Sequence, residues 1–277
     1  MKRLGIFIKT FSGTLAERVA QANALGISRI QYNFCVDTPT SLPMSIDDSL
    51  VENISDTLKH CSTDIDAISA TFNIIHPDCE VRRRGIKAFE AIARCCPRLG
   101  CHLITICTGT RDAADMWHGH PDNDSDDAWA DMLRAIEPLI EIAEECGVNI
   151  GIEPETANVV NSADKALRLI DECGSQRLKI VFDPANLFEH EPLNEVRYRI
   201  ERGLDLLAPH IVGVHAKDRD EMGRHVAAGK GVLPYPAFMS ALAGIGYDGP
   251  ITLHGLSADE APSCADYVKG LIYKYLK

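Results

Sequence analysis

The chain has 277 residues, 45% of them hydrophobic, and a formal net charge of −12. That charge argues against a nucleic-acid binder, which needs basic surface to neutralise phosphates, and against docking on anionic lipid. No apolar run approaches the roughly 20 residues of a membrane span, so the length points to one domain over 1–277, in the cytoplasm, with a small molecule as its partner.

The start, MKRLGIFIKTF, is basic and then apolar. Lys9 and Gly13 interrupt it and no small-residue cleavage site follows, so it reads as a first strand, Leu4–Phe11, and not as a signal peptide. Thr14 and Glu17 have capping-box spacing, and the helix they open ends at Leu25 and Gly26. A second strand, Ser28–Phe34, precedes a loop with Pro39 and Pro43, then a helix from about Asp48 to His60. Ile65–Phe72 reads as the third strand, and the helix from Glu80 to Arg94 ends before Pro97. Its Arg82, Arg83 and Arg84 fall in one turn and cannot all face one site, so a solvated face is expected.

The fourth strand is His102–Cys107. Arg111–Asp127 is the longest irregular stretch, and its Trp117, His118 and His120 suit a lid or substrate wall. Leu133, Ile136, Leu139, Ile140 and Ala143 give helical periodicity over Ala128–Cys146. The fifth strand follows at Asn149, then a helix capped by Asn161 or Ser162 and ending near Gly174. The sixth strand is Leu178–Asp183, with a helix over Leu193–Leu207. The seventh is Ile211–Asp218, followed by the loop Arg219–Gly231 and a helix from about Pro236 to Gly244. A turn at Tyr247–Pro250 leads into the eighth strand, Ile251–Gly255, and a last helix runs to the C-terminus. Strands alternating with helices, with no linker between them, predict a single (β/α)8 TIM barrel. The ten cysteines form no C-x-x-C pair and read as reduced, packed side chains; Cys107, at a strand end, could face the site.

Four strands end alike. NIGIEPE, KIVFDPAN, IVGVHAKD and ITLHG each place a small or modest residue two positions before Glu153, Asp183, His215 or His254 on one face. Val212 and Val214 are expected together on the other face of their strand. Proline follows Glu153 and Asp183 and stops those strands. The spacings of 30, 32 and 39 residues suit successive strand-helix-strand units of about 30 or more. The four side chains are therefore expected around one cation at the C-terminal mouth.

These motifs, with the segment from Gly229 through GKGVLPYPAF to GYDGPITL, resemble the xylose-isomerase-like TIM-barrel superfamily of sugar isomerases and epimerases over nearly the whole chain. The resemblance implies a divalent metal, manganese first, with magnesium, cobalt, iron or zinc as alternatives. It implies Glu153, Asp183 and His215 as ligands, with His254 where the family has a glutamate. Isomerising a hydroxy-ketone needs a polarised carbonyl and a base beside it, so the expected chemistry is proton abstraction to an enediolate. Glu153 is expected as ligand and base. His254 is a ligand or, if unbound, a base. Lys217, in phase with His215 at the strand's end, could neutralise an enediolate or a carboxylate, with a surface lysine as the alternative. Glu155, Asn186, His76, His225 and Trp117 are candidates for substrate contact, with solvated or loop-holding roles as their alternatives.

The expected function is thus an isomerase or epimerase of a sugar or sugar derivative. A lyase, such as a dehydratase or deglycosylating enzyme, could use the same site. A non-catalytic sugar-binding protein and an apurinic-site endonuclease, suggested by Arg224 and His225, are further alternatives. Family members commonly form dimers or tetramers, which the resemblance extends to this chain.

Overall fold

The structure is a computed structural model that describes residues 3–276. Met1 and Lys2 of the basic start, and Lys277 after the last helix, lie outside the described residues. Eight parallel strands close on themselves: β1 (Leu4–Phe7), β2 (Arg29–Tyr32), β3 (Asp64–Ser69), β4 (Leu103–Ile106), β5 (Asn149–Ile152), β6 (Leu178–Phe182), β7 (Ile211–Arg219) and β9 (Ile251–Leu253). Pairing of β6 with β7, β7 with β9, and β9 with β1 completes the ring. A short strand, β8 (His225–Ala227), pairs antiparallel with the far end of β7 and lies outside the barrel. Among the described residues, eight α-helices surround the sheet: α1 (Leu15–Ala24), α2 (Asp48–His60), α3 (Cys79–Cys95), α4 (Asp126–Cys146), α5 (Ala163–Cys173), α6 (Leu193–Leu207), α7 (Tyr235–Gly244) and α8 (Ala261–Tyr275). The chain is a (β/α)8 TIM barrel.

Local chemistry sets the helix starts. The Thr14 hydroxyl accepts from the Glu17 N–H, and the Glu17 carboxylate accepts from the Thr14 N–H, as the capping box requires. Ser162, not Asn161, caps α5. Asn161 instead reaches Asp124 in the preceding loop. The first strand is shorter than its apolar run: Ile8–Thr10 turns into a 3-10 helix, with Ile8 buried.

Two layers of core follow from strand alternation. The larger lies between sheet and helices and includes Ile6, Ile30, Ile104, Ile150, Ile180 and Val214. A small inner cluster of Ala67, Leu103 and Val181 fills the barrel floor. Gly151 is required there, because a Cβ would meet Val181 Cγ2 at 2.7 Å. Val212 departs from the expected alternation. It packs against the inner cluster, away from Val214, because the β6–β7 register shifts so that Ile180 pairs with Ile211 and Val181 with Gly213. Val212 is the extra residue of a bulge, and from Gly213 onward the phase is restored. His215, Lys217 and Arg219 therefore follow Gly213 on the inner face.

Candidate active site

Residues at the C-terminal ends of the strands line a cavity of about 570 Å³. Alternate positions supply its walls: Gln31 on β2 and Asn33 just after it, Glu153 and Glu155 after β5, and Lys217 and Arg219 on β7. A strand presents every second residue to one face, so each strand end contributes a pair of side chains.

At the base, one ligand-type atom each from Glu153, Asp183 and His215 lies within 4.8 Å of the other two. His215 Nδ1 sits 3.4 Å from Glu153 Oε1 and 3.5 Å from Asp183 Oδ2. The other face of the ring is tied down: His215 Nε2–H donates to Gln31 Oε1 at 2.8 Å. An amide oxygen can only accept, so Nε2 carries a proton, and Nδ1 is the nitrogen that faces the carboxylates and would bind a cation once its own proton is lost. Gln31 is oriented in turn by donation from its Nε2 to Thr105 Oγ1 at 3.3 Å. Both His215 Nδ1 and Asp183 Oδ2 are buried without a hydrogen-bond partner. Buried polar atoms are normally satisfied, and an unclaimed ring nitrogen beside two carboxylates suits a cation, although Asp183 Oδ2 already has the Lys217 ammonium 3.0 Å away. Two carboxylates and one imidazole are a donor set that divalent first-row metals accept. The residues present fit the metal that the resemblance implies.

Electrostatics agree. Burial disfavours charge on His215, but Glu153 and Asp183 outweigh it and push the imidazole up to about 9. Burial likewise opposes charge on Lys217, and Asp183, Glu153 and Glu155 outweigh it and raise its ammonium. Asp183 is raised by burial but held well below the usual carboxylate range by Lys217, then His215. The field that holds these positive charges is the field that would hold a cation.

Lys217 is 5% exposed. Its Nζ lies 3.0 Å from Asp183 Oδ2 and donates to Asn186 Oδ1 at 2.6 Å. The Asn186 amide nitrogen donates to Glu153 Oε1 at 2.5 Å. Asn186 thus links the lysine to the carboxylate. Glu155 is buried, and burial followed by the nearby Glu153 charge pushes it up to about 7. Cys107 also lines the cavity, with its thiol 3.8 Å from Glu155 Oε2. Burial raises that thiol well above its ordinary value, so it is a poor nucleophile.

The fourth expected ligand stands apart. His254 lines the cavity but is not part of the three-residue cluster. Its ring is sandwiched between Phe7, with centroids 4.8 Å apart and planes 9° apart, and His215, at 4.6 Å and 13°. In a parallel stack each ring's lone pairs lie in that ring's own plane. Two such planes do not meet at a metal–nitrogen distance of about 2.1 Å. The structure thus brings Glu153, Asp183 and His215 together, with the His254 ring stacked beside them.

Of the substrate-contact candidates, Trp117, Glu155, Asn186 and His225 line the cavity. His76 does not. Its Nε2 donates to the Ala113 carbonyl at 3.1 Å, and its Nδ1 accepts from the Asp78 N–H at 3.0 Å. It fastens the loop that carries Trp117. Trp117 itself is 55% exposed at the rim. His225 is pushed down to about 4 by burial, then by Lys217 and Arg219. On the helix after the third strand, Arg83 pairs with Glu80 and Arg82 approaches Asp131, away from the cavity.

Sequence reasoning missed Gln31 and Arg219. Arg219 continues the phase of His215 and Lys217, and its Nε donates to the Ala185 carbonyl at 2.6 Å, bracing the turn after Asp183. That phase was the available signal. For Gln31 there was only a polar residue in an apolar strand. The loop after β7 is held by buried Asp218, which accepts from the N–H groups of Gly229, Gly231 and Leu233 at 3.2, 3.1 and 3.0 Å. A side chain on Gly231 would collide with the Arg219 carbonyl.

Comparison with known proteins gives a match over residues 19–267 to the family described as "Xylose isomerase-like TIM barrel". D-Psicose 3-epimerase of Enterocloster bolteae is 28% identical over 133 residues, 45% of this chain and 40% of that protein. An uncharacterised protein of Methanocaldococcus jannaschii is 26% identical over 141 residues, 50% of this chain and 47% of that protein. The matches thus span less than half the length of these relatives. The crystal structure of 3-keto-D-glucoside 4-epimerase from E. coli superposes with a TM-score of 0.75, 18% identity, and coverage of 98% of this chain and 99% of that one. At that identity the likeness is one of fold. No helix among the described residues is long and apolar enough to cross a membrane.

Proposed function

Because the chain belongs to the xylose isomerase-like TIM-barrel family, we propose that it is a divalent-metal-dependent epimerase of a sugar or sugar derivative. The observation that carries this is the cluster of Glu153, Asp183 and His215, with the buried His215 Nδ1 left without a hydrogen-bond partner, below a cavity that Glu153 lines. Glu153, Asp183 and His215 would hold the metal, with manganese as the expected ion. Bound there, it would polarise a substrate carbonyl and stabilise negative charge on its oxygen.

The chain's own residues do the rest. Glu153 is the carboxylate that removes the proton from the carbon next to the carbonyl. Asn186 holds the Glu153 oxygen with one hydrogen bond and the Lys217 ammonium with another, which fixes the base relative to a positive charge. Lys217 balances the negative charge that develops as the proton leaves. Glu155 and His225 offer hydrogen bonds to hydroxyls, and Trp117 offers an apolar face at the rim. The named activities among the relatives are epimerases, which favours epimerisation over the lyase reading. The net charge of −12 disfavours the nuclease reading.

The test is incubation of metal-stripped protein with ketohexoses and keto-glycosides, with and without added manganese, followed by carbohydrate NMR. A new epimer that forms only with metal is the expected result. Elimination products would support the lyase. No reaction and no proton exchange in any sugar would refute the proposal.

A further inference from the structure

Far from the cavity, where α3 gives way to β4, two buried thiols stand at the two ends of one tight turn. The chain leaves α3 at Cys95, passes through the 3-10 turn Cys96–Leu99, and enters β4 at Leu103. Gly100 closes the turn in the left-handed conformation, with φ 70°. The Cys101 N–H donates to the Cys96 carbonyl at 3.0 Å, and the Gly100 N–H donates to the Pro97 carbonyl at 3.1 Å. These are the two bonds of a Schellman motif, which folds the chain back until the side chains at its first and last residues meet. That contact is commonly apolar; here both residues are cysteines. We propose that Cys96 and Cys101 are a reversible dithiol–disulfide couple, closed by a low-molecular-weight disulfide such as oxidised glutathione. The couple is independent of the sugar chemistry.

The surroundings of the two sulfurs support a pair and not two separate packed thiols. Cys96 is fully buried and Cys101 is 1% exposed. Cys101 Sγ donates to the Leu103 carbonyl at 3.3 Å. It also shares a hydrogen bond with the Cys96 thiol, which lowers the Cys101 thiol and raises that of Cys96. Cys101 is therefore the better thiolate and the attacking sulfur. Cys95 is occupied by its own helix: its thiol donates to the Ile92 carbonyl at 3.1 Å, and burial pushes it up to about 12. Among the described residues, the two thiols belong to no cluster that could hold a metal ion. The turn itself is the way in. Pro97, Arg98 and Gly100 are exposed, and Pro97–Gly100 forms one wall of a surface cleft of about 360 Å³. Arg98 is held to Asp48 and Glu52 by exposed ion pairs, which are weak enough to break readily. Opening the turn uncovers both sulfurs and leaves the barrel strands paired.

The exchange balances. The Cys101 thiolate attacks one sulfur of the glutathione disulfide, an S–S bond forms on Cys101, and one glutathione leaves as thiolate. Cys96 then gives up its proton and attacks the Cys101 sulfur, and the second glutathione leaves. The protein loses two electrons and two protons, and the two glutathione thiols carry them away. The bridge ties the end of α3 to the residues that lead into β4.

The experiment incubates the full chain in glutathione buffers of graded ratio. Free thiols are then blocked with iodoacetamide in denaturant, and the protein is digested with trypsin for mass spectrometry. Trypsin cuts after Arg98, so a bridge between Cys96 and Cys101 joins two peptides, 95–98 and 99–111, that otherwise separate. Tandem fragmentation and the variant Cys95→Ala distinguish it from a bridge through Cys95 or Cys107. The expected result is a linked peptide pair that dithiothreitol separates. Its fraction should follow the square of reduced glutathione over oxidised glutathione, as an intramolecular bridge requires. Cys96→Ser should stop at a mixed disulfide on Cys101. The oxidised parent should melt a few degrees above the reduced one, because the bridge restricts the unfolded chain. Failure of the linked pair to form in the native protein would overturn the assignment. So would a mixed disulfide that persists on Cys101 of the parent, a bridge through Cys95 or Cys107 in its place, or a lower melting temperature after oxidation.

Discussion

Gln31 and His215 meet across the barrel, with the Gln31 side-chain oxygen 2.8 Å from His215 Nε2. They sit on β2 and β7, and this one hydrogen bond keeps a proton on Nε2, so that Nδ1 is the nitrogen that can give up its proton to a cation beside the carboxylates. Replacing Gln31 with leucine keeps the bulk and removes the acceptor. The imidazole can then place its proton on Nδ1, facing Glu153 and Asp183, where it competes with a cation. Metal affinity is expected to fall by about 10–100-fold. Titration of manganese into the stripped variant checks this, and an unchanged affinity would remove Gln31 from the site.

Lys217 offers a test of charge balance. Its ammonium is buried 3.0 Å from Asp183. Replacement by methionine keeps most of the volume but leaves the carboxylates uncompensated. Removing one partner of a buried ion pair costs about 3–5 kcal/mol, so the metal-free variant should melt on the order of 10 °C lower. A divalent cation restores positive charge at the same place. Added manganese should therefore raise the Tm of Lys217→Met by more than it raises that of the parent. Equal increments in calorimetry would show that the lysine and the metal do not share a field.

The elements and the mouth of the barrel were legible because they depend on local chemistry. Apolar alternation that ends in Glu153, Asp183 or His215 marks a strand end, and proline after two of them marks where it stops. The bulge at Val212 was not legible, because it is a property of register between β6 and β7 and leaves no trace in the IVGV run. Gln31 was missed for a related reason: its partner lies 184 residues away, and a single polar residue in a strand does not say what it holds. His254 was placed at the mouth correctly by its phase. Its ring orientation, stacked between Phe7 and His215, was not legible, because residue type carries no information about that.

The pH dependence of the metal-free protein should carry the signature of Glu155. Its ordinary value is 4.5, and burial with the Glu153 charge pushes it up to about 7 in the folded protein. Between those values the folded state binds more protons than the unfolded one, so this residue's contribution to stability falls as pH rises through the window. His225, pushed down to about 4, acts with the opposite sign, because there the unfolded state binds more protons. The clean measurement is a difference. Glu155→Gln should be more stable relative to the parent at pH 8 than at pH 5 in thermal melts with chelator present. A difference independent of pH would mean that Glu155 titrates like an exposed carboxylate.

Trp117 should report ligand arrival by fluorescence. The chain has two tryptophans. Trp129 is 6% exposed, donates its indole N–H to Glu172 at 2.8 Å, and lies under the Arg168 guanidinium, away from the cavity. Trp117 is 55% exposed at the rim, on a loop fastened by His76 through Ala113. A sugar ring packing on the indole would shield it from water and shift its emission to shorter wavelength, while Trp129 stays constant. Saturable blue-shifted emission is expected on titration with substrate, and it should vanish in Trp117→Phe. His76→Ala removes the tie that positions the loop, so it should weaken the titration severalfold and speed proteolysis within 111–127. Manganese affinity should not change, because His76 touches no residue of the cluster. A fluorescence response that survives in Trp117→Phe would place the sugar elsewhere.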